Sequence, residues 1–363
     1  MNSIIVDGIC YRKEEICEGN PPAFAATAPF HRQLHLFLRE WFSPSPTLTL
    51  HTSGSTGKPK TIVVQKDRML QSAAMTCDFL RLKKGDKALL CLPLEYIAGK
   101  MMVVRAVYAG LDLRPVEPSG NPMAEITQGI DFAAMVPLQV YNSLQTEEGK
   151  KRISQIKKLI IGGGAMDERP EELLRDFPHE VYSTYGMTET VSHIAIRRLS
   201  GHAADSYYTP LPGVFLKLSG DQTLVIDAPH VADETLYTND IAEIRADGSF
   251  RVLGRKDNVI NSGGVKIQIE EVERVLHPYM SANFAVTSVP HPKLGEAAAL
   301  LIESGTDAQH IRQVIESRLP RFQRPLHIFR VEAIPQTGNG KTDRAAAKEM
   351  AAERISHSVL RQG

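Results

Sequence analysis

Short apolar runs alternate with helical patterns along the first half of the chain, and that alternation points to the fold. TLTLH at 47–51 puts an apolar residue at every second position, the period of a strand with one buried face. A loop of small residues follows, then a second β-rich run at 61–65 and a helical pattern over 66–81. The pattern predicts strands at 88–92, 111–116 and 132–136, with helices at 97–109 and 138–144. KLII at 158–161 reads as a short strand ending in three glycines, and a helix opens near Pro170 with Asp167 or Glu168 as its cap. Strands and helices alternating at this spacing predict an α/β class, a large N-terminal domain of mixed, largely parallel sheets with flanking helices. The stretch before residue 47 reads as a short lead.

The texture changes after about residue 210. Strands are predicted at 214–218, 224–227, 241–246 and 250–253, with Asp247 and Gly248 at a hairpin turn. This small β unit, about 210–255, completes a domain spanning 1–255. From 256 to 363 the order is helix from about Gln268, strands at 284–289 and 298–302, a helix at 308–319, a strand at 326–331 and a last Ala-rich helix. That is an α+β unit of ordinary domain size. Asp240 is expected to follow a strand and a turn. No internal repeat or low-complexity tract is read.

Composition narrows the class of partner. A length of 363 residues suits two or three domains, and 42% hydrophobic with 23% charged residues is a soluble globular profile. Lys plus Arg and Asp plus Glu are both 42, so charge gives no reason to expect nucleic acid or an anionic membrane as partner. The start, MNSIIVDGICYRKEE, lacks the basic and apolar segments of a signal peptide, and no apolar run approaches the ~20 residues of a membrane helix. Cys10, Cys17, Cys77 and Cys91 form no C-x-x-C pair. They predict reduced, mostly buried thiols and a cytoplasmic home rather than a zinc or dithiol site.

The most informative segment is HTSGSTGKPK at 51–60. Ser53, Gly54, Ser55, Thr56 and Gly57 form a loop of small residues between two strands, with Thr52 ahead and Lys58 behind. Glycines let the backbone approach an anion, hydroxyls donate hydrogen bonds and Lys58 adds charge, so polyphosphate is the natural ligand. The nucleotide P-loop pattern is not met. Thr52 stands where its first Gly belongs, Pro59 replaces its Ser/Thr, and a strand follows where a phosphate-holding helix would start. A P-loop kinase or ATPase is thereby disfavoured.

Four further segments each make chemical sense. In YGMTET (185–190), Glu189 offers the oxygen ligand that Mg²⁺ prefers alongside phosphates. In YTND (237–240), Asp240 can accept two hydrogen bonds from a ribose diol. GRKDNVI (254–260) runs into NSGGVK (261–266), and PQTGNGK (335–341) ends on Lys341, placed in a Gly-flanked turn. A lysine there can stabilise charge in an in-line displacement. With HTSGSTGKPK these segments, in this order, resemble the adenylate-forming superfamily of acyl-CoA synthetases, peptide-synthetase adenylation domains and luciferases. The resemblance covers about residue 47 to the end.

What the resemblance implies is specific. Lys341 is the catalytic lysine, Thr188 bonds the α-phosphate and Glu189 holds Mg²⁺. Tyr185, Gly186 and Met187, with Gly162, Gly163 and Gly164, line the adenine and acyl pockets. Asp240 and Arg255 bind ribose, and Asp257 is the hinge of a mobile C-terminal domain. Gly263 and Gly264 enter the site for the thiol step. The implied reaction joins a carboxylic acid to ATP with loss of pyrophosphate, then passes the acyl group to CoA with loss of AMP.

The acid is the least legible part. Tyr96, Gly99, Lys100, Gly163, Gly186 and Ser192 are the expected acid pocket. Where the superfamily often carries an aromatic and a His, PLEYIAGKMMVVRA has Glu95 and Tyr96. Lys100 shares a helix face with Val103, Val104 and Val107, so it either snorkels to the surface, or else Lys100 or Arg105 pairs with a second carboxylate on the substrate. Within the superfamily this compact chain, with a short stretch ahead of the phosphate loop, PL-x-x-x-x-G at 93–99 and YGMTET, resembles the o-succinylbenzoate–CoA ligases of menaquinone synthesis, whose acid is an aromatic dicarboxylate. The partners are then the acid, ATP and CoA, with no nucleic acid and no membrane insertion, and a homodimer is left open. Three alternatives stand beside this reading: a ligase for another aromatic or fatty acid, an enzyme loading a carrier-protein phosphopantetheine, and a non-enzymatic homologue with a decayed site.

Overall fold

The computed structural model describes residues 2–51, 61–164, 166, 168–280, 282–303, 308–336 and 342–359. Strands β1 (Ser3–Val6) and β2 (Ile9–Arg12) are joined by Asp7 and Gly8, both at positive φ (51° and 81°). That conformation matches the twist of a two-residue hairpin and suits an Asp-Gly pair. After α1 (Lys13–Cys17) comes α2 (Pro29–Phe42), which buries Phe30, Leu34, Phe37, Leu38, Trp41 and Phe42 along one face. Spacings of three and four put these side chains on one stripe, and the stripe drives the helix onto the core. Residues ahead of 47 are therefore part of the core, not a lead.

The remaining strands of this region are β3 (Thr47–His51), β4 (Thr61–Gln65), β5 (Lys87–Leu90), β6 (Asp112–Pro115), β7 (Phe132–Met135), β8 (Lys158–Ile161), β9 (Glu180–Gly186), β10 (His193–Arg198) and β11 (Thr209–Pro210). The helices are α3 (Lys66–Phe79), α4 (Ile97–Ala109), α5 (Pro137–Leu144), α6 (Glu147–Ser154) and α7 (Glu168–Arg175). β3 and β4 pair antiparallel, His51 opposite Thr61. The others form a nine-stranded sheet in the order β11-β10-β9-β8-β7-β5-β6-β1-β2. Neighbours from β9 to β1 run parallel, while β10, β11 and β2 add antiparallel edges.

Alternate residues of the parallel strands feed two cores. Ala88, Leu90, Leu113, Phe132 and Ala134 pack with Leu34, Phe37, Met69 and Met102. Leu89, Ala133, Met135, Leu159 and Ile161 pack with Val140, Leu144 and Leu174. With both faces covered, these strands read as unbroken apolar runs. Helix α4 buries Met101, Met102, Val103, Val104, Arg105, Ala106 and Val107, so truncating Met102 to Ala would cost about 2–5 kcal/mol.

The β unit is a four-stranded sheet of β12 (Phe215–Leu218), β13 (Thr223–Asp227), β14 (Leu236–Ile244) and β15 (Phe250–Arg255), in that order. The strand expected at 241–246 begins at Leu236, so Asp240 lies inside β14 and not after a turn. Asn and Asp are poor strand formers, and here pairing with neighbours overrides that preference. Beyond it come β16 (Val259–Ser262), β17 (Val265–Gln268), α8 (Ile269–Leu276), β18 (Phe284–His291), β19 (Gly295–Glu303), α9 (Ala308–Arg318), β20 (His327–Val331) and α10 (Arg344–Val359). Their sheet runs β17-β16-β19-β18, with β20 parallel to β19. Arg344 of α10 grips both carboxylate oxygens of Glu273 on α8 at 2.6 Å.

The chain divides into two compact units. One is Met1–Lys217, Val225–Leu236 and Arg245–Phe250; the other is Leu218–Leu224, Tyr237–Ile244 and Arg251–Gly363. Among the described residues no helix is long and apolar enough to cross a membrane. Of the thiols expected to be mostly buried, Cys77 and Cys91 are, Cys17 is half-buried and Cys10 is exposed.

Candidate active site

The loop expected to hold phosphate, Thr52 to Lys58, and the expected catalytic Lys341 lie outside the described residues. The strand that follows the loop is β4, paired back on β3.

In the first unit the expected site residues Gly162, Gly163 and Gly186 lie at the ends of β8 and β9. Gly162 extends the sheet by donating its N–H to the Met135 carbonyl at 3.1 Å. Gly163 turns away with φ 88°, a conformation that favours glycine. Thr184 of β9 bonds the Ile161 carbonyl at 3.2 Å, and a Cβ on Gly162 would overlap the Thr184 hydroxyl. Gly186 ends β9, where a Cβ would overlap the Ser192 carbonyl and the His193 backbone, so β9 and β10 meet there without room for a side chain.

Between them Thr188–Thr190 makes one 3-10 turn. Its buried Thr190 hydroxyl reaches the Ser192 carbonyl at 2.8 Å and accepts from the Met187 N–H at 3.1 Å. Val191, at φ 65°, carries the chain out. This bracing fixes the turn, on which Glu189 is exposed and Thr188 half-buried. The Tyr185 ring is held edge-on by Phe250 at 5.2 Å and by Tyr208 at 6.0 Å, and those two stack 5.6 Å apart.

Helix α4 carries the residues expected to meet the acid, Tyr96, Gly99 and Lys100. Tyr96 is its exposed N-cap, and a Cβ on Gly99 would overlap the Pro93 carbonyl, so only glycine lets the helix cross so close. The two cations of α4 point differently. Lys100 Nζ sits 5.5 Å from the centre of the Phe37 ring on α2, and burial lowers its pKa, partly offset by Glu40. Arg105 is 2% exposed and donates from Nη2 to Ser192 Oγ at 3.0 Å. Its Nη1 meets only the Met102 sulfur at 3.8 Å, and its Nε, also buried, has no partner among the described residues.

Burial brings the Arg105 pKa down to about 10, with the Cys77 thiol pulling weakly the other way. No carboxylate faces it among the described residues. Beside it His193 is buried, with Nε2 3.1 Å from the Thr76 hydroxyl, which itself donates to the Ser72 carbonyl at 3.1 Å. Burial first and Arg105 second push the His193 pKa well below 6.5, so the ring is neutral. The reading from sequence missed His193 and Thr76. A histidine directly after Ser192 was the available signal.

In the second unit Arg255 donates to Asp257 through Nε at 2.9 Å and Nη2 at 2.8 Å, and to Asp240 through Nη1 at 3.3 Å. The Asp257 contact holds the Arg255 pKa up and the Asp257 pKa down. Asp240 is largely buried, and Arg255 is half-exposed. Gly263 and Gly264 form the exposed tip of the β16–β17 hairpin, at φ 58° and 85°.

Family models for AMP-binding enzyme and for its C-terminal domain match residues 9–234 and 271–341. The chain belongs to the AMP-binding enzyme family. Its match in this family begins at residue 9, well ahead of the resemblance read from residue 47. The 2-succinylbenzoate–CoA ligase of Escherichia coli K12 is 29% identical over 314 residues, covering 82% of this chain and 67% of its own length. An acyl-CoA synthetase (AMP-forming)/AMP-acid ligase II-like protein from Dyadobacter fermentans is 35% identical, with TM-score 0.62, covering 88% of this chain and 94% of that one. The o-succinylbenzoate CoA synthetase of Bacillus subtilis, solved with ATP and magnesium ion, overlaps at TM-score 0.69 with 22% identity, over 82% of this chain and 68% of its own, a likeness of fold.

Proposed function

We propose that this AMP-forming acid–CoA ligase takes o-succinylbenzoate as its acid and serves menaquinone synthesis in the cytoplasm, where ATP and free CoA are at hand. One observation carries the choice of acid: Arg105 is buried beside Ser192 with no protein carboxylate facing it among the described residues. An unpaired buried charge costs several kcal/mol, so the arrangement favours a ligand that brings the missing negative charge. A dicarboxylate does so, with one carboxylate on Arg105 and Ser192 and the other free to react.

In this reading the free carboxylate attacks the α-phosphorus of ATP and pyrophosphate leaves, giving a mixed anhydride. The CoA thiolate then attacks the acyl carbon and AMP leaves. Thr188 bonds the α-phosphate, Tyr185 faces the adenine, and Asp240 with Arg255 holds the ribose. Lys341 and the loop from Thr52 to Lys58 offset the charge that develops on phosphate. Glu189 is one exposed carboxylate on a braced turn, which fits an ion held mostly by phosphates and water. Mg²⁺ there supplies charge neutralisation. Asp257 begins the hinge, and Gly263 with Gly264 serves the thiol step.

The test is a panel of acids read by pyrophosphate release with and without CoA. o-Succinylbenzoate should lead the panel and yield a CoA thioester. A monocarboxylic acid that outpaces it would overturn the choice of acid. A thioester formed only on a carrier protein would overturn the choice of thiol, and no acid-dependent release would favour a decayed site. Lys341→Ala should abolish pyrophosphate release while leaving ATP binding intact.

A further inference from the structure

The hairpin tip Gly263–Gly264 is the part of the second unit that the proposed thiol step uses, and it closes the antiparallel β16–β17 hairpin. Both glycines sit at positive φ (58° and 85°), the two-residue turn in which side chains are strained. Beyond the hairpin pairing, the tip rests on the neighbouring turn between β18 and β19. Gly263 donates its N–H to the Leu294 carbonyl at 2.9 Å, and Ser262 pairs with Gly295. A Cβ on Gly263 would lie 2.8 Å from Leu294 Cδ2, so the backbone rests against that side chain.

The supporting turn is in turn closed by one side chain. His291 Nδ1 accepts from the Lys293 N–H and from the Leu294 N–H, each at 3.2 Å. Two amides converging on Nδ1 require its lone pair, so the ring proton is on Nε2. Removing the ring leaves both amides without their acceptor and frees Leu294 to drift from Gly263.

We propose that His291 is a positioning residue for transfer to the thiol, acting through the Lys293–Leu294 turn to fix the Gly263–Gly264 tip. This rests on the reading that the tip serves the CoA step. His291→Ala should cut CoA-dependent thioester formation about 10-fold, on the order expected for losing a hydrogen-bonded brace. It should raise the KM for CoA and leave acid-dependent pyrophosphate release within twofold of the parent. His291→Asn should restore the thiol step, because an Asn side-chain oxygen accepts from amides two residues on. Equal loss of both half-reactions, loss of neither, or no rescue by Asn would overturn the proposal.

Amide hydrogen exchange decides the same point independently of the acid. The Leu294 and Gly263 amides should exchange at least 10-fold faster in His291→Ala and at the parent rate in His291→Asn. Unchanged exchange in the alanine variant sinks the brace even if o-succinylbenzoate proves to be the wrong substrate. Conversely, failure of the parent enzyme on o-succinylbenzoate counts only against the proposed acid.

Discussion

Two arginines of this chain stand in opposite circumstances. Arg105 is buried on α4, donates to a neutral hydroxyl, and its pKa is pushed down to about 10 by loss of water. Arg255 is half-exposed at the end of β15, carries two carboxylates, and its pKa is held up by Asp257. A cation provided with counter-ions is balanced before any ligand arrives. A cation denied them is a cost to the fold that a ligand can relieve, and that asymmetry separates a cation that favours an anionic ligand from one already neutralised.

The largest expected effect breaks the asymmetry at its costly end. Arg105→Met should lower kcat/KM for o-succinylbenzoate on the order of 10²–10³-fold, since truncating one partner of a buried charge pair costs 2–5 kcal/mol. The same change should leave the unliganded protein more stable by about 1–3 kcal/mol in urea titration, because an apolar side chain replaces an unpaired buried charge. Lower activity together with lower stability would count against the assignment. Next in size, Asp240→Ala should raise the KM for ATP about 10- to 100-fold and leave that for the acid unchanged, the loss of charged hydrogen bonds. A shift in both constants would mean that the residue supports the fold more than the ribose.

The neighbour of Arg105 gives a pH signature. His193 stays neutral when folded, while its unfolded form takes a proton below about pH 6.5. The unfolded state then binds more protons, so stability falls as pH drops below 6.5, by up to about 1.4 kcal/mol per pH unit until the lowered native pKa is reached. His193→Gln should flatten that slope in melts compared at pH 7.5 and 5.5. The smallest effect is at Asp257, whose lowered pKa contributes stability above its unfolded pKa that is lost as pH falls through the lowered value. The pair with Arg255 is open to water, so Asp257→Asn should change stability by no more than about 0.5 kcal/mol. A larger loss would move Arg255 to the buried side of the comparison.

Much of the parallel core was legible, because strands buried on both faces are apolar without interruption. The helix read at 97–109 is Ile97–Ala109, and the strands read at 88–92 and 132–136 are Lys87–Leu90 and Phe132–Met135. Helix α2 is equally legible through Phe30, Leu34, Phe37, Leu38 and Trp41, although the stretch ahead of residue 47 reads as a lead when only the strand–helix alternation is followed. Strand β14 reads short from sequence because Asn239 and Asp240 oppose strand by propensity, and only pairing overrides that. The direction of the two α4 cations lay beyond local pattern. The helix period puts Lys100 and Arg105 on different faces, but which face meets Ser192 depends on a contact 87 residues away.

The first strand of the chain has its parallel partner far downstream. β1 pairs with β6, Ile5 opposite Asp112, so a ribosome must release the whole of β6 before the N-terminal hairpin can dock. Contacts this distant in sequence close slowly, and until they close β6 is an edge strand with its backbone groups open to any other chain. Deleting the residues through Arg12 would make that transient edge permanent. The deletion should therefore show itself first as aggregation during synthesis, before any change in chemistry could be measured.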